Sequence, residues 1–270
     1  MKLKIFCCSI KYYKIIDKLP KNIIPLGLGN NNFPSHWLTD KFGENICELN
    51  KNYGEATGIY WVWKNYLKNL NQEDWIGFCQ YRRLWLDRLY DKKQKKNYSS
   101  LYSNLLKNEN SIFKNADTVL LQPTYLKNES VLDQFDKIYG KNIFINCVNL
   151  LPEKDKDDFL KYLNNNKFSI CNMFITKPMI FEKYCLSMFN WISKVYNYCN
   201  KENLLLGKNI RLPIFMVERY SSFWFEKYSK CNYLSFARLG DNFLSNYINY
   251  FLNPIKLPFT FRQYPTIHDF

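Results

Sequence analysis

Short apolar segments of strand length alternate with segments of helical periodicity, and this alternation constrains the fold more than any other feature of the sequence. The strand-like segments span residues 2–10, 22–29, 74–81, 116–123 and 170–176. Apolar residues at spacings of three and four mark helical segments from Tyr53 to Leu67 and over 155–166, 177–199 and 212–228. Because strands alternating with helices form a largely parallel sheet covered by helices, the pattern predicts an α/β fold.

The domain organisation is predicted from what does not interrupt the chain. No internal repeat and no Gly/Ser-rich linker divides the 270 residues. We therefore predict a single domain, with an α/β core over about residues 1–176 and a mainly helical C-terminal part over about residues 177–270. A chain of this length can bury a sizeable core.

The basic residues give the chain a formal net charge of +14, carried by 31 lysines and 7 arginines. Most lysines are scattered singly and the aromatic residues fall at buried spacings, whereas a surface for RNA interleaves basic residues with exposed aromatic ones. We therefore expect no nucleic-acid partner and keep a non-catalytic RNA- or polyanion-binding protein only as an alternative. A weak attraction of the lysines to the anionic inner membrane surface stays open. Where lysine is the default cation, an arginine indicates that a planar fork of donors is needed.

Cysteine usage and hydropathy predict the compartment. Nine cysteines without regular spacing argue against a disulfide framework and indicate a reducing cytoplasm. We see no apolar run near the ~20 residues that span a bilayer and no cleavable signal peptide. We expect a cytoplasmic protein, at most peripheral to the membrane. With His36 and His268 as the only imidazoles, we expect no zinc site.

Several motifs that would fix another chemistry are missing from the sequence. There is no G-x-G-x-x-G, no P-loop motif and no G-x-S-x-G elbow. The D-x-D at residues 155–157 stands at a predicted helix start, where acidic residues favour the helix dipole. We therefore expect it to be structural.

Arg82 and Arg83 follow directly on the apolar strand predicted at 74–81. Ligands of α/β sheets gather at the carboxyl ends of strands, and a bidentate guanidinium suits the oxygens of a diphosphate. Successive strand residues point to opposite faces, so at most one arginine of the pair can face a given pocket unless the strand bends. The alternative is a structural arginine paired with a carboxylate such as Glu55 or Asp87.

Five motifs carry a resemblance to a known family. NKNYGEATGIYWVWKN at residues 50–65, DWIGFCQYRRLW at 74–85, ADTVLLQP at 116–123, NMFI at 172–175 and RLPIFMVERYSSFW at 211–224 occur in this order. Together they resemble a family of bacterial capsular and exopolysaccharide glycosyltransferases, long catalogued as a domain of unknown function, that includes galactofuranosyltransferases. The similarity runs from Ile5 to about Trp224. It implies a GT-A-like fold that binds a nucleotide-sugar, most simply a UDP-sugar, and transfers the sugar to a glycan or lipid-linked glycan.

The resemblance also implies a set of site residues. It places a donor and diphosphate site at Ser9, Lys11, Asn50, Tyr53, Glu55, Gln80, Tyr81, Arg82 and Arg83. It places an acceptor side at Asn172, Arg211 and Arg219, and here Glu218 becomes the candidate general base for an inverting displacement. The alternative for Glu218 and Arg219 is an ordinary pair of solvated helix charges.

The chain departs from the family pattern at two strand ends. Members commonly have a histidine where this chain has Gln80, and often another where it has residues 8–11, Cys-Ser-Ile-Lys. Glutamine keeps the hydrogen bonding but cannot titrate near neutral pH. We expect the substitution to alter substrate preference rather than to remove an acid or base.

The metal question follows from the same strand end. Where many GT-A enzymes hold a divalent cation on a D-x-D, this chain offers residues 80–83, Gln-Tyr-Arg-Arg. Arginine can stabilise a leaving diphosphate without a metal, so we favour no metal, with Asp87, Asp91 and Asp117 as ligands if one is required. The nearest alternative function is transfer of another phosphate-activated group onto a capsule sugar.

Overall fold

A computed structural model describes residues 1–89, 105–108 and 110–238 of the chain. It contains eleven strands in this described part: β1 Leu3–Ser9, β2 Ile23–Gly27, β3 Leu38–Thr39, β4 Trp75–Gln80, β5 Arg83–Trp85, β6 Thr118–Leu121, β7 Thr124–Tyr125, β8 Lys167–Phe168, β9 Phe174–Thr176, β10 Cys231–Leu234 and β11 Phe236–Arg238. The α-helices within the same residues are α1 Asn50–Tyr53, α2 Ala56–Trp61, α3 Val131–Tyr139, α4 Ile143–Val148, α5 Glu153–Leu163, α6 Pro178–Lys201 and α7 Leu212–Tyr228.

The main sheet has the strand order β10-β6-β9-β4-β1-β2-β3. Along this path β1 is parallel to β2 and β4, β2 to β3, and β6 to β10, while β9 runs antiparallel to both β4 and β6. The carboxyl ends of β1, β4 and β6 therefore lie at one edge, and the segment before β9 enters the sheet at that same edge. The predicted α/β class is confirmed.

The end of β4 differs from the prediction. The chain reverses at Tyr81 and Arg82, and β5 returns antiparallel to β4 with Gln80 opposite Arg83. The chain therefore bends at the pair, because Arg82 lies in the turn and Arg83 opens the next strand, and the limit of one arginine to a pocket does not apply. Their orientations depend on the hairpin instead of on strand alternation.

The C-terminal part contains the predicted helices α6 and α7. Two strands not anticipated from the sequence follow them, because β10 joins β6 in the main sheet and β11 pairs antiparallel with β5. The remainder of the predicted C-terminal part, from residue 239 onward, lies outside the described residues.

Helix α7 is buried around most of its circumference. Its aromatic side chains pack on neighbouring elements, with Tyr220 on Trp191 at 4.7 Å and Phe225 on Tyr184 at 4.6 Å between ring centroids. Pro213 stands in its first turn, where the missing N–H of proline is tolerated. Since most faces of α7 are enclosed, any charged residue in its middle must find partners inside the protein.

The helix predicted from Tyr53 is broken into pieces. α1 ends at Tyr53, because the next residue, Gly54, leaves the helical region with a φ of 50° and a ψ of −131°. α2 starts at Ala56. A π-helical segment, Val62–Tyr66, continues α2. The break turns Glu55 toward the carboxyl edge of the sheet.

Candidate functional site

Glu55 connects three segments that are far apart in the sequence. Its Oε1 accepts hydrogen bonds from Gln80 Nε2 at 3.2 Å and from Asn172 Nδ2 at 3.0 Å. Its Oε2 lies 3.4 Å from Nη2 of Arg211, and the Glu55 side chain is 15% exposed. The carboxylate thus joins the end of β4, the loop before β9 and the segment before α7.

Gly54 allows this arrangement in two ways. Its positive φ is a conformation that side chains with a Cβ rarely adopt. A Cβ at this position would also lie 2.5 Å from Nη2 of Arg211. Glycine therefore both directs Glu55 into the site and leaves room for the guanidinium that pairs with it.

Gln80 links Glu55 to the second residue of the arginine pair. Its Nε2 also donates to the carbonyl of Cys171 at 2.9 Å, and its Oε1 accepts from Nη1 of Arg83 at 2.6 Å. Arg83 is only 7% exposed. A glutamine here can accept from one side and donate to two groups on the other, which the hydrogen-bonding capacity of its amide allows.

The loop before β9 adopts an unusual backbone conformation at the site. Cys171 and Asn172 both have positive φ, at 77° and 46°. Such angles are uncommon for residues other than glycine and occur often at functional sites. The conformation directs the N–H of Cys171 to Oε1 of Glu218, while Oδ1 of Asn172 accepts from Ser221 at 3.2 Å.

Glu218 is a nearly buried carboxylate, with its side chain 12% exposed. Burial raises its pKa; Arg219 and the N–H of Cys171 act in the opposite direction without cancelling this effect. A carboxylate with a raised pKa and a small exposed surface has the properties of a general base. The alternative of solvated helix charges is therefore wrong for Glu218 and Arg219.

Arg219 supports Glu218 from the protein interior. Its Nη1 lies 3.4 Å from Oε2 of Glu218 and donates to the carbonyl of Phe215 at 2.8 Å, while Nη2 donates to Gln134 at 2.6 Å. The guanidinium also stacks 4.6 Å from the ring centre of Phe168. With 5% of its side chain exposed, Arg219 is placed to hold Glu218 rather than to contact an acceptor.

The sequence does not predict the role of Gln134 as a partner of Arg219, because a single glutamine on an amphipathic helix gives no sign that it faces inward. Its helix, α3, begins with a capping box at Ser130 and Asp133, which fixes where the helix starts. That start sets the face on which Gln134 meets Arg219. The signal that existed was therefore the capping box, which locates the helix but not its partner.

Tyr81 and Arg82 form the turn of the β4–β5 hairpin. Tyr81 stacks on Tyr13 with 5.0 Å between ring centroids, and the Arg82 guanidinium lies 5.1 Å from the centre of the Tyr81 ring. Both side chains are half-buried. They lie at the same edge of the sheet as Gln80, next to the segment that follows β1.

Three predicted donor residues make contacts within the fold, and their predicted contact with a donor stays a prediction. Tyr53 is 4% exposed in the core, with its hydroxyl 3.5 Å from the carbonyl of Ile192. Asn50 donates from Nδ2 to the carbonyl of Gly54 and to Thr57, which fixes the break between α1 and α2. Ser9 is buried and its hydroxyl donates to the carbonyl of Lys11, shaping the turn after β1.

Lys11 is exposed at the end of the turn after β1. Because β1 and β4 are parallel with Cys8 opposite Gln80, Lys11 lies at the edge that carries the cluster. Its predicted contact with a donor stays a prediction.

Asp87 and Asp117, the possible metal ligands that the structure describes, do not converge. Among residues 1–89, 105–108 and 110–238, no group of three or more His, Cys, Asp or Glu side chains is placed to hold a metal ion. Asp117 precedes β6 and so lies at the opposite edge of the sheet, and Asp87 pairs with Arg88. Asp91 lies outside the described residues.

The D-x-D at 155–157 is occupied by a local network. Asp155 is 1% exposed and accepts hydrogen bonds from Lys227 at 2.9 Å and from the hydroxyl of Tyr228. These contacts join α5 to the end of α7. They agree with the prediction that this motif is structural.

A comparison with protein families matches residues 4–230 to the domain of unknown function DUF4422. The chain belongs to this family. A comparison with curated proteins finds no significant relative of this DUF4422 chain. The resemblance to a family long catalogued without a function is thereby confirmed.

A solved structure extends the comparison to the fold. The chain is similar to a WbbM bifunctional glycosyltransferase solved in the apo form, with a TM-score of 0.69 and 19% sequence identity. The match covers 89% of this chain and 46% of that one. At this identity the likeness shows the fold, and it agrees with the predicted α/β class.

Within the described residues no helix has both the length and the apolar character needed to cross a membrane.

Proposed function

We propose that this protein is a glycosyltransferase that moves a sugar from a UDP-sugar donor to a growing capsular, exopolysaccharide or lipooligosaccharide glycan. The observation that carries the proposal is the position of Glu218, a nearly buried carboxylate, among arginines at the carboxyl edge of the sheet. The fold shared with a bifunctional glycosyltransferase supports it. The galactofuranosyltransferases in the family that the sequence resembles make UDP-galactofuranose the first donor to test.

The proposed reaction uses Glu218 as the general base. Its carboxylate takes the proton of an acceptor hydroxyl, the hydroxyl oxygen forms a bond to the anomeric carbon of the donor, and the bond from that carbon to the diphosphate oxygen breaks. UDP leaves with the electron pair of the broken bond. A base with a raised pKa is well matched to a proton transfer near neutral pH.

The leaving diphosphate is assigned to the arginines of the β4–β5 hairpin. Arg83 is buried against Gln80, and Arg82 lies half-buried in the turn at the same edge of the sheet. Guanidinium groups in a partly dry cleft stabilise the charge that develops on the leaving group. In this proposal they do so without a divalent cation.

The acceptor side is assigned to the network around Glu55. Arg211 is 46% exposed and pairs with Glu55, which also holds Asn172 and Gln80. An exposed guanidinium next to two amides can contact the hydroxyls of a glycan. Arg219 has the separate task of holding Glu218 in position from the interior.

A thermal-shift panel tests this function. The intact protein is melted with UDP-galactofuranose, other UDP-sugars, other sugar nucleotides and non-sugar phosphate-activated donors, each with and without manganese. A ligand that binds only the folded state raises the melting temperature, so a UDP-sugar is expected to give the largest shift. The best donor is then incubated with the protein and glycan acceptors, and release of UDP is measured.

Glu218→Gln serves as the matched control for chemistry. It should keep the donor-induced shift while losing UDP release. A panel in which only non-sugar donors shift the melting temperature would contradict glycosyl transfer and favour transfer of another phosphate-activated group.

A further inference from the structure

Arg238 is a cation at the carboxyl edge of the sheet with no role in the proposed reaction. It is the last residue of β11, which follows β10 after a single residue. The chain changes partners here: Gln122 after β6 donates its N–H to the carbonyl of Leu234 at 2.9 Å, and Leu86 after β5 donates to that of Ser235 at 3.0 Å. The segment therefore crosses from β6 to the hairpin at the carboxyl edge and delivers Arg238 there.

The register of β5 and β11 sets Arg238 directly opposite Arg83. Residues directly opposite in an antiparallel pair project from the same face, with Cβ atoms about 4.5–5.5 Å apart. Arg83 is 7% exposed and Arg238 is half-buried. Gln80 accepts from Arg83 and donates to the carbonyl of Cys171, whose N–H binds Glu218. Burial raises the pKa of the Cys171 thiol, and the charges of Arg83 and Arg238 act in the opposite direction. The pair thus converges on the loop that holds the candidate base.

Arg83 and Arg238, directly opposite each other, place two planar forks of donors on one face of the sheet. A diphosphate matches such a pair, because it presents two anionic groups to two guanidinium groups.

We infer that Arg238 belongs to the diphosphate-binding site, as a further binding residue that the β10–β11 crossing places opposite Arg83 and adds to the arginines of the hairpin. The identity of the anion as the diphosphate of a nucleotide-sugar rests on the proposed function. The arginine pair itself rests on the register and burial of β5 and β11.

Calorimetric titration tests the inference with four probes: inorganic pyrophosphate, UDP, UMP and uridine. Wild-type protein should bind pyrophosphate and UDP, with UMP weaker. Arg238→Gln should weaken pyrophosphate and UDP by about 10- to 100-fold, the range for loss of a hydrogen bond to a charged group, while uridine changes little. Arg238→Lys should recover part of the loss, because it restores the charge without the planar fork.

The matched control is Arg88→Gln, an arginine close by on the chain that is 51% exposed and pairs with its neighbour Asp87. It should bind all four probes as the wild type does. Melting curves of every variant confirm that the fold is kept, and Arg238 is preferred over Arg83 for the test because Arg83 is buried against Gln80.

The outcomes separate this inference from the proposed function. Unchanged binding of pyrophosphate and UDP by Arg238→Gln overturns it, even if the protein transfers sugar, and so does a wild type that binds neither probe. If pyrophosphate binding depends on Arg238 but no nucleotide-sugar binds or reacts, the anion site stands and the glycosyltransferase proposal fails. An equal loss with Arg88→Gln would mean a general charge effect and would also overturn the inference.

Discussion

Gly54→Ala is the substitution that most directly tests how the candidate site is assembled. The backbone at Gly54, with φ 50° and ψ −131°, is one that an alanine adopts only under strain, at about 1–3 kcal/mol. The new Cβ would lie 2.5 Å from Nη2 of Arg211. That atom is the end of a flexible side chain, 46% exposed, so it can move away at little further cost in stability. Its departure breaks the ion pair with Glu55, which at an exposed site contributes about 0–1 kcal/mol.

The chain offers a matched control in Gly207→Ala. Gly207 also has a positive φ, of 53°, but a Cβ there would meet no atom within 4 Å. Both variants should therefore lose a similar amount of stability, about 1–3 kcal/mol of backbone strain. Only Gly54→Ala should disturb the network of Glu55, so only it should lose acceptor turnover beyond what its stability explains.

The assay compares urea denaturation with UDP release for both variants. Denaturation midpoints give the stability change, and turnover is measured at a temperature where each variant is fully folded. If Gly54→Ala and Gly207→Ala retain equal turnover, the argument that Gly54 makes room for a functional Arg211–Glu55 pair is refuted. If Gly54→Ala is not destabilised at all, the assignment of backbone strain is refuted as well.

Three further predictions follow. Glu218→Gln should lower turnover by about 10²–10⁴-fold with donor binding kept. Because burial raises the pKa of Glu218, wild-type activity should fall on acidification at a pH above the ordinary glutamate value of 4.5. A pH–rate profile without that acidic limb contradicts the base role. Activity should survive EDTA, and inactivation by EDTA with rescue by manganese opposes the metal-free proposal. Arg83→Lys should lose more turnover than Arg82→Lys, because Arg83 is the more buried of the two and lysine lacks the planar fork of donors. Asp155→Asn should destabilise the protein by about 1.5–3 kcal/mol in urea unfolding while activity per folded molecule is kept. Asp158→Asn, at an exposed carboxylate, should leave the unfolding midpoint nearly unchanged. A selective loss of activity in Asp155→Asn would return the D-x-D to the site.

The sheet could be predicted because its strands carry their signal locally. Residues 2–10, 74–81 and 116–123 are apolar runs of strand length, and β1, β4 and β6 lie within them. The arginines after residue 80 were likewise predicted to lie at a carboxyl edge. That prediction needs only the strand direction, which the α/β alternation supplies.

The contacts at the site could not be predicted, because they depend on how distant segments meet. The turn at Tyr81 and Arg82 contains no glycine or proline, so the sequence pattern predicts a strand that ends one residue beyond the observed end of β4 at Gln80. The positive φ of Cys171 is not encoded by a residue type that favours it. Arg238 reaches Arg83 through a sheet register that pairs residues 155 positions apart. No local pattern contains that information.

The burial of Glu218 and Arg219 connects the fold to the proposed chemistry. Helix α7 is enclosed on most faces, and an apolar pair of similar size at these two positions would often be as stable as a buried ion pair. Stability therefore gives no reason to place a carboxylate there, and the surrounding contacts show what maintains it: the N–H of Cys171 on one side and Arg219 on the other. Arg219 in turn needs Gln134 and the Phe168 ring, so two elements of the fold serve to hold one carboxylate at the edge of the sheet. A local departure from the apolar pattern of a buried helix is expected where a group is retained for function.

Arg219→Met removes the positioning guanidinium but keeps an apolar side chain in its place. It should lower turnover and shift the acidic limb of the pH–rate profile to higher pH, because the attraction that lowers the pKa of Glu218 is lost. A purely structural Arg219 would lower the melting temperature and leave the position of that limb unchanged.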